Sequence, residues 1–492
     1  MNQRFIIVGF DALRPELATA AHAPNLARLA QEGVRLQNAR SVFPSETKVA
    51  MASIATGCYP TRHGIVANGY YEPATGDGRL FDTGNVAQLG RVTETNHGAL
   101  VTAPTLAGAL AAAGKSYLTV SSGTAGNARF LNPRARDLGL VAYSVQGADA
   151  SSPAADFDGM AARFGPPPAQ AVPNVPRCQY AAKLFLEHFL PSHAPDVAVL
   201  WLSEPDIAFH YKGVGSPESL EALAAMDAIL GDVLAWRDAQ PDRDAINIVA
   251  LSDHGQAAVK GRIEILAAMQ QAGFRADNVW RPDVDYVVLA RSSGNIWARD
   301  DDPGLIRAMA DWLTAQDWLG MLFAKSPEAA PGALPLSLAR NDHPRAPALF
   351  FLLHTDDETS RFGLAGRTFI GADPTLDEAL RPMDLTAAER QALATACVST
   401  PPPGTIAATS IRSNTRPMRS RRTVRWISSR SMNAGWTRRD PRPCPFDQKI
   451  RERSGRTCQL RNPGATQATH VASYPLEMNG PCTTTATRPR YR

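Results

Sequence analysis

Short apolar runs alternate with longer amphipathic or Ala/Leu-rich stretches along the first 400 residues of the chain. Runs of Val, Ile and Leu without a polar interruption are typical of strands buried on both faces of a parallel sheet. The pattern predicts strands at residues 5–10, 116–120, 196–202 and 246–251, and helices at 24–33, 48–55, 103–113 and 217–236. This alternation predicts an α/β fold, in which helices flank a mostly parallel central sheet.

Clusters of Pro, Gly and Asp interrupt the alternation twice, at residues 140–180 and at about 260–340. We interpret the first interruption as a minor insertion and the second as a cap over a ligand site. Both lie inside one large α/β domain that we predict over residues 1–395, a length that can bury a sizeable core.

The composition changes over residues 396–492. Residues 401–492 contain 18 Lys and Arg but four Asp and Glu, a net charge of +14, whereas the whole chain carries +4. The segment is rich in Arg, Pro, Ser and Thr and shows neither hydrophobic period, so we predict a disordered basic tail. We disfavour a nucleic-acid-binding arm. Out-of-frame translation of a GC-rich gene is an alternative origin of this composition.

Other patterns exclude whole classes of protein. The sequence has no uninterrupted apolar run of about 18 residues, so it predicts no membrane span. Its first residues do not have the pattern of a secretory signal. Six cysteines without a Cys-x-x-Cys pair predict neither a disulfide framework nor a zinc ribbon. We therefore expect a cytoplasmic protein without a membrane partner.

Acidic and histidine side chains follow the predicted strands. Asp11 directly follows an apolar run, and Asp253 and His254 follow the run 246–251 after one serine. Asp206 lies four residues beyond the run 196–202, and His210 lies four residues beyond Asp206. Ligands of open α/β sheets bind beyond the carboxyl ends of the strands, so we expect these residues to converge on one sheet edge. Carboxylates together with imidazoles suit Zn²⁺, and two divalent cations about 4 Å apart serve displacement at phosphorus.

Three motifs make the pattern more specific. The first runs from Phe43 to Asn68 and contains Thr47, the pair Thr56 and Gly57, the pair Tyr59 and Pro60, and His63-Gly64-Ile65. The later motifs are Glu204-Pro205-Asp206 with His210, and Ser252-Asp253-His254-Gly255. Over residues 4 to 370, the sequence resembles the nucleotide pyrophosphatase/phosphodiesterase family of the alkaline phosphatase superfamily. The resemblance implies an alkaline phosphatase-like fold.

The resemblance also implies roles for individual residues. Asp11, Thr47, Asp253 and His254 would bind one zinc ion, and Asp206 and His210 would bind a second. Thr47 would attack phosphorus and form a phosphothreonine, because coordination to a cation makes its hydroxyl a competent nucleophile. Asn68 would donate its side-chain N–H to the phosphoryl oxygen, and the amides of the helix that follows Thr47 would face the same group.

The expected activity is metal-dependent hydrolysis of phosphodiester or pyrophosphate bonds in a small, nucleotide-like phosphoester. A phosphomonoesterase or phosphonate hydrolase of the same superfamily is the alternative. Cys58-Tyr59-Pro60-Thr61-Arg62 also matches the Cys-x-Pro-x-Arg core of sulfatases. In sulfatases, however, that core precedes a Thr-Gly pair, whereas Thr56 and Gly57 come before Cys58, so we interpret Cys58 as a packing residue.

One expected feature is missing. The family has a third ligand for the second zinc, a His-Gly roughly a hundred residues beyond the Asp-His pair, and no such motif follows His254 here. His343 and His354 are the histidines near that distance, and the motif would fall near Met383. The second zinc is therefore expected to bind weakly. An inactive, metal-poor relative, truncated by a frameshift, is the remaining alternative.

Overall fold

The computed structural model describes residues 3–72, 78–95, 99–291 and 293–371, together with the backbone of Ala407–Thr409. The chain divides into two units, Met1–Thr415 and Arg416–Arg492. All described residues belong to the first unit.

The strands of the described residues are numbered in chain order. They are β1 (Arg4–Asp11), β2 (Val34–Leu36), β3 (Gly69–Tyr71), β4 (Leu80–Asp82), β5 (Tyr117–Ser121), β6 (Ala142–Ser144), β7 (Val197–Pro205), β8 (Ile246–Ser252), β9 (Ala258–Ile263), β10 (Ala276–Asp277), β11 (Tyr286–Ala290), β12 (Ser293–Ala298), β13 (Leu319–Ala324), β14 (Leu334–Pro335), β15 (Leu349–Leu353), β16 (Thr355–Thr359), β17 (Ala365–Gly371) and β18 (Ala407–Thr409).

The helices are numbered in the same way. They are α1 (Pro24–Glu32), α2 (Thr47–Thr56), α3 (Pro60–His63), α4 (Val86–Thr95), α5 (Leu106–Ala112), α6 (Ala125–Leu131), α7 (Ala135–Leu138), α8 (Ala155–Phe164), α9 (Val175–Leu184), α10 (Leu190–His193), α11 (Asp206–Lys212), α12 (Pro217–Asp238), α13 (Ile265–Gln271) and α14 (Pro303–Thr314). A π-helical turn, Phe185–Phe189, joins α9 to α10.

The central sheet has the strand order β2-β18-β8-β1-β7-β5-β6. The pairs β8-β1, β1-β7, β7-β5 and β5-β6 are parallel. Only β18 runs antiparallel to its neighbours β8 and β2 among the described strands of this sheet. The predicted mostly parallel sheet is therefore confirmed, and β1 lies in its middle between β8 and β7.

Both faces of the central sheet are covered, as the unbroken apolar runs predict. On β7, Leu200 and Leu202 pack in one cluster with residues of α1 and α12, such as Leu29 and Leu230. Val199 and Trp201, which alternate with them, belong to the opposite cluster together with the residues of α2. Helix α2 is thus held on one face of the sheet by the same core that buries β7.

A second sheet stands beside this face, with the strand order β10-β11-β12-β15-β13-β14. Helices α13 and α14 cover one side of it through Met269, Met309 and their neighbours. From its other side, Trp297 and Phe350 pack in the same cluster as α2. The region predicted as a cap, about 260–340, supplies most of these strands, and its role as a cap stays a prediction.

The predicted strands and helices are all present, with bounds that differ by a few residues. Residues 140–180, predicted as a minor insertion, contribute the edge strand β6 and helices α8 and α9 to the domain. Ala407–Thr409 lie inside the segment predicted to be disordered, yet they form a strand between β2 and β8. Residues 396–406 and 410–492 lie outside the described residues, so the predicted disorder there stays a prediction.

Among the described helices, none combines the length and the apolar composition that are needed to cross a bilayer.

Candidate functional site

Three neighbouring strands bring the predicted acidic residues to one edge of the central sheet. Because β8, β1 and β7 lie side by side, Phe10 pairs with Ser252 and Asp11 pairs with Pro205. Asp253 and His254 directly follow β8, and Asp206 directly follows β7 as the first residue of α11. The parallel order therefore produces the expected convergence at the carboxyl ends of the strands.

His254 is at the centre of a tight cluster. Its Nε2 lies 3.0 Å from the Thr47 hydroxyl, and 3.5 Å from carboxylate oxygens of both Asp11 and Asp253. Its Nδ1 lies 3.1 Å from the carbonyl oxygen of Gly255. That contact requires a proton on Nδ1, which leaves the lone pair on Nε2 free to bind a cation.

The cluster has the properties of a cation site. Ligand atoms of Asp11, Asp253 and His254 all lie within 4.8 Å of one another, and all three residues are buried. Asp11 Oδ1 and Asp253 Oδ2 have no hydrogen-bond partner among the described residues. Burial, and then the negative charges of Asp253 and Asp206, raise the pKa of Asp11 well above its usual value. A bound divalent cation would satisfy both oxygens and offset these like charges.

Neighbouring groups hold the two carboxylates in place. The Trp201 indole N–H donates to Asp11 Oδ2 over 3.2 Å. Gly9 pairs with Trp201 and must be glycine, because a Cβ there would lie 2.2 Å from the indole ring. The backbone N–H of Ala12 donates to Asp253 Oδ1 over 3.1 Å, and Ala12 has the unusual φ of 63°. Such a left-handed residue costs on the order of 1–3 kcal/mol, and this strain is characteristic of functional sites.

Thr47 is the first residue of α2, a helix of ten residues. The N-cap is Glu46 rather than Thr47, and its side chain makes no capping hydrogen bond. Instead, the Glu46 carboxylate accepts from the Asn68 backbone N–H, and from the Ser293 hydroxyl over 3.2 Å. Burial raises the pKa of Glu46. Glu46 thereby joins the start of α2 to the Asn68 segment and to the second sheet.

Asn68 lies beside the start of α2, as a role next to Thr47 requires. Its Oδ1 accepts from the backbone N–H of Lys48 over 2.9 Å, and its carbonyl oxygen accepts from the Thr83 hydroxyl over 2.5 Å. The first contact orients the carboxamide with its oxygen toward the helix, and the second holds the backbone of Asn68. The NH₂ end of the carboxamide is therefore the end that can donate to a ligand. The backbone N–H of Lys48, which was expected to face the ligand, donates to Asn68 instead.

Asp206 and His210 form a second, more open group on the first turn of α11. His210 Nε2 lies 3.4 Å from Asp206 Oδ1, and the side chains are 36% and 19% exposed, respectively. Burial lowers the pKa of His210, but the charge of Asp206 outweighs it and raises the pKa overall. Gln256, which the sequence did not single out, donates from Nε2 to Asp206 Oδ1 over 2.5 Å.

Lys48 is a second residue that sequence reasoning missed. It is only 7% exposed, and no hydrogen bond or ion pair holds its ammonium group within the described residues. Burial lowers its pKa, whereas the carboxylates of Asp11, Asp82, Asp206 and Asp253 act in the opposite direction. The available signal was its position: Lys48 directly follows the predicted nucleophile and begins a buried helix.

The histidines considered for the missing ligand lie elsewhere. His343 Nε2 contacts the Thr102 hydroxyl at 3.3 Å, and His354 Nδ1 lies 3.4 Å from the Lys260 ammonium. Residues around Met383, where the motif was expected, lie outside the described part of the chain. Cys58 is half-buried, and its thiol contacts the Thr56 carbonyl at 3.5 Å, in line with a packing role.

Comparison with solved structures supports the fold. Phosphonoacetate hydrolase from Sinorhizobium meliloti 1021, in complex with phosphonoformate, has a TM-score of 0.57 at 20% identity, covering 85% of this chain and 92% of that one. Murine ectonucleotide pyrophosphatase/phosphodiesterase 5, an inactive threonine-to-alanine variant in complex with AMP, has a TM-score of 0.50 at 16% identity, covering 74% and 80%.

Sequence relatives point to one family. Bis(5'-adenosyl)-triphosphatase enpp4 of Mus musculus is 36% identical over 72 residues, 15% of this chain and 16% of that protein. Ectonucleotide pyrophosphatase/phosphodiesterase family member 1 of Mus musculus is 26% identical over 242 residues, 47% of this chain and 21% of that protein. The matches thus span about a fifth or less of these relatives. The model of one family matches residues 5–312, more than half of this chain. The chain belongs to the type I phosphodiesterase/nucleotide pyrophosphatase family.

Proposed function

We propose that this protein hydrolyses phosphodiester or phosphoanhydride bonds of small, nucleotide-like substrates through a covalent phosphothreonine at Thr47. The observation that carries the proposal is the position of the Thr47 hydroxyl, 3.0 Å from His254 Nε2, at the border of a buried carboxylate cluster. Neither a turn nor a simple helix start requires this arrangement. The family and the names of its relatives support the reaction class.

The residues fit two divalent cations of the zinc type. Asp11, Asp253 and His254, with the Thr47 hydroxyl, would hold the first, and the orphaned oxygens of Asp11 and Asp253 are the support for it. Asp206 and His210 would hold the second. When bound, such cations lower the pKa of a coordinated hydroxyl and offset negative charge on phosphoryl oxygens.

The reaction by the chain's own residues has two displacements. In the first, the Thr47 hydroxyl gives up its proton to solvent and a bond forms between Oγ1 and phosphorus, while the bond from phosphorus to the leaving oxygen breaks and that oxygen takes up a proton from solvent. In the second, a water oxygen bonds to phosphorus, the bond to Thr47 Oγ1 breaks, and the threonine oxygen recovers a proton. The NH₂ group of Asn68 and the positive start of α2 would stabilise the phosphoryl oxygens in both steps.

Replacement of Thr47 tests the nucleophile. Thr47→Ala should lose acid-stable labelling by a phosphoester substrate and lower kcat by at least about a thousandfold, because no other hydroxyl replaces it. Thr47→Ser keeps a hydroxyl and should retain labelling. Thr93→Ala is a matched change of a helical threonine whose hydroxyl donates to the Leu89 carbonyl oxygen, and it should behave as the wild type. Wild-type rates in Thr47→Ala would show that the nucleophile is misassigned.

A second candidate function, hydrolysis of phosphomonoesters or phosphonates, is favoured by Lys48. A buried ammonium group without a partner among the described residues, close to the carboxylate cluster, suits a substrate that carries a further negative charge. The phosphonoacetate hydrolase with a similar fold acts on such a compound by its name.

A substrate series separates the two candidates. We expect bis-p-nitrophenyl phosphate to be hydrolysed faster than p-nitrophenyl phosphate or phosphonoacetate. In Lys48→Met, the loss of a charge-assisted contact of about 1.5–3 kcal/mol should lower kcat/KM for the two more highly charged substrates by about ten- to a hundredfold. The diester should be affected less. A clear preference of the wild type for the monoester or the phosphonate would replace the first candidate with the second.

A further inference from the structure

Gln256 has an unusual environment for an uncharged side chain. It is 2% exposed and lies two residues beyond His254. Its Nε2 donates to Asp206 Oδ1 over 2.5 Å, whereas its Oε1 is buried and has no hydrogen-bond partner among the described residues. An unsatisfied buried acceptor costs about 1–3 kcal/mol. This orphaned oxygen therefore calls for a partner that the protein chain does not supply.

The neighbours of Gln256 offer too few ligand atoms for a cation. Asp206 and His210 offer two protein donors, whereas structural zinc ions take four and catalytic ones typically take three plus water. A carboxamide oxygen is a neutral, hard donor that is common around divalent cations. The chain contains no histidine between His354 and His470, so the sequence offers no imidazole shortly after the described part.

The side chain of Arg14 holds the backbone of Gln256 in a fixed position. The buried guanidinium of Arg14 donates to the Gln256 carbonyl oxygen over 3.0 Å and also to the Ala365 carbonyl oxygen over 3.0 Å. Only the carboxamide is then free to adjust. Half a turn about its last bond exchanges the NH₂ and oxygen ends. The oxygen, which has no partner among the described residues where it now lies, would then face a cation beside Asp206 in place of the present N–H donor.

We infer that the side-chain oxygen of Gln256 is the third protein ligand of the second cation, together with Asp206 and His210. The inference rests on the proposed two-cation function. It also explains how one loop serves both clusters: Asp253 and His254 belong to the first, and Gln256 reaches the second.

The test is a titration of the metal-free full-length protein with Zn²⁺ against a chromophoric chelator, repeated with Co²⁺ to record its visible spectrum. Gln256→Leu removes donor and acceptor, Gln256→Glu keeps an oxygen ligand without an N–H donor, and Gln31→Leu repeats the first change on the exposed face of α1. Gln256→Leu should bind the first cation as the wild type does and the second at least about tenfold more weakly. Its Co²⁺ spectrum should change for the second equivalent only.

Gln256→Glu decides between a ligand and a mere donor. If the side chain at this position is a ligand, the Gln256→Glu variant should bind the second cation at least as tightly as the wild type does. If Gln256 serves only to donate to Asp206, the new carboxylate repels Asp206. The affinity of Gln256→Glu for the second cation should then fall as far as that of Gln256→Leu, and this result would overturn the inference. An unchanged second affinity in Gln256→Leu would also overturn it. A wild type that binds fewer than two cations would instead refute the proposed function. The affinity for the first cation and the thermal unfolding curve report whether each variant is folded.

Discussion

The two groups of candidate ligands differ in how they are built. Asp11, Asp253 and His254 come from the ends of two adjacent strands, and their side chains are at most 5% exposed. Asp206 and His210 share one turn of α11, and their side chains are 19% and 36% exposed. The first group is held by Trp201 and Ala12, and the second by Gln256. Because prearranged, dehydrated ligands bind more tightly, the first cation should bind before the second.

Removal of one carboxylate from each group in turn should have the largest effect on the affinities of the two cations. Asp253→Asn should lower the affinity for the first cation by at least about a hundredfold and abolish turnover. Loss of a group that only hydrogen-bonds to a ligand costs about ten- to a hundredfold in affinity, and loss of a direct ligand should cost more. Asp206→Asn should weaken the second cation by about ten- to a hundredfold and leave the first unchanged. Zinc titration together with hydrolysis of bis-p-nitrophenyl phosphate measures both effects.

An exposed aspartate provides the matched control for this pair. Asp317→Asn makes the same change from carboxylate to carboxamide at the surface and should leave both affinities as they are in the wild type. If Asp206→Asn weakened binding of the first cation as much as binding of the second, the two groups would form one site rather than two.

His63 tests whether burial alone makes a histidine a ligand. It is fully buried like His254, but its ring contacts the Ser53 hydroxyl at 2.9 Å and the Ile65 backbone N–H at 3.1 Å. Burial, and then the neighbouring His343, lower its pKa to about 3. His63→Asn, which keeps an acceptor for Ile65, should therefore leave both cations bound.

The same variant should change the pH dependence of stability. Because the folded His63 stays neutral down to about pH 3, whereas the unfolded chain takes up a proton near pH 6.5, the free energy of unfolding falls as the pH falls between these values. The slope from one such group is at most about 1.4 kcal/mol per pH unit. Denaturant titrations at several pH values should give a smaller slope for His63→Asn. An equal slope would mean that His63 is protonated in the fold.

Much of the fold was predictable because its signals are local. The apolar runs identified β1, β7 and β8, and the rule for parallel sheets placed Asp11, Asp253 and Asp206 on one edge. Thr47 was expected just before a helix and is the first residue of α2. The spacing of residues within a strand or a turn of helix decides these features, so the sequence carries them directly.

The supporting contacts were not predictable, since they join residues far apart in the chain. Trp201 reaches Asp11 only because Gly9 leaves room on the neighbouring strand. Lys48 looked like an ordinary helical lysine, yet its side chain packs against Gly126, where a Cβ would lie 3.1 Å from the lysine Cε. Gln256 meets Asp206 across a separation of 50 residues. Their roles follow from tertiary packing, which no short motif records.

The metal content of the purified protein, measured together with its turnover, decides whether this chain is a two-cation phosphodiesterase. We expect two zinc ions per chain after loading, a first that resists dialysis and a second that is lost more readily. Hydrolysis of bis-p-nitrophenyl phosphate should return when the second zinc ion is restored. One zinc ion or none, without turnover at any zinc concentration, would instead show an inactive, metal-poor relative.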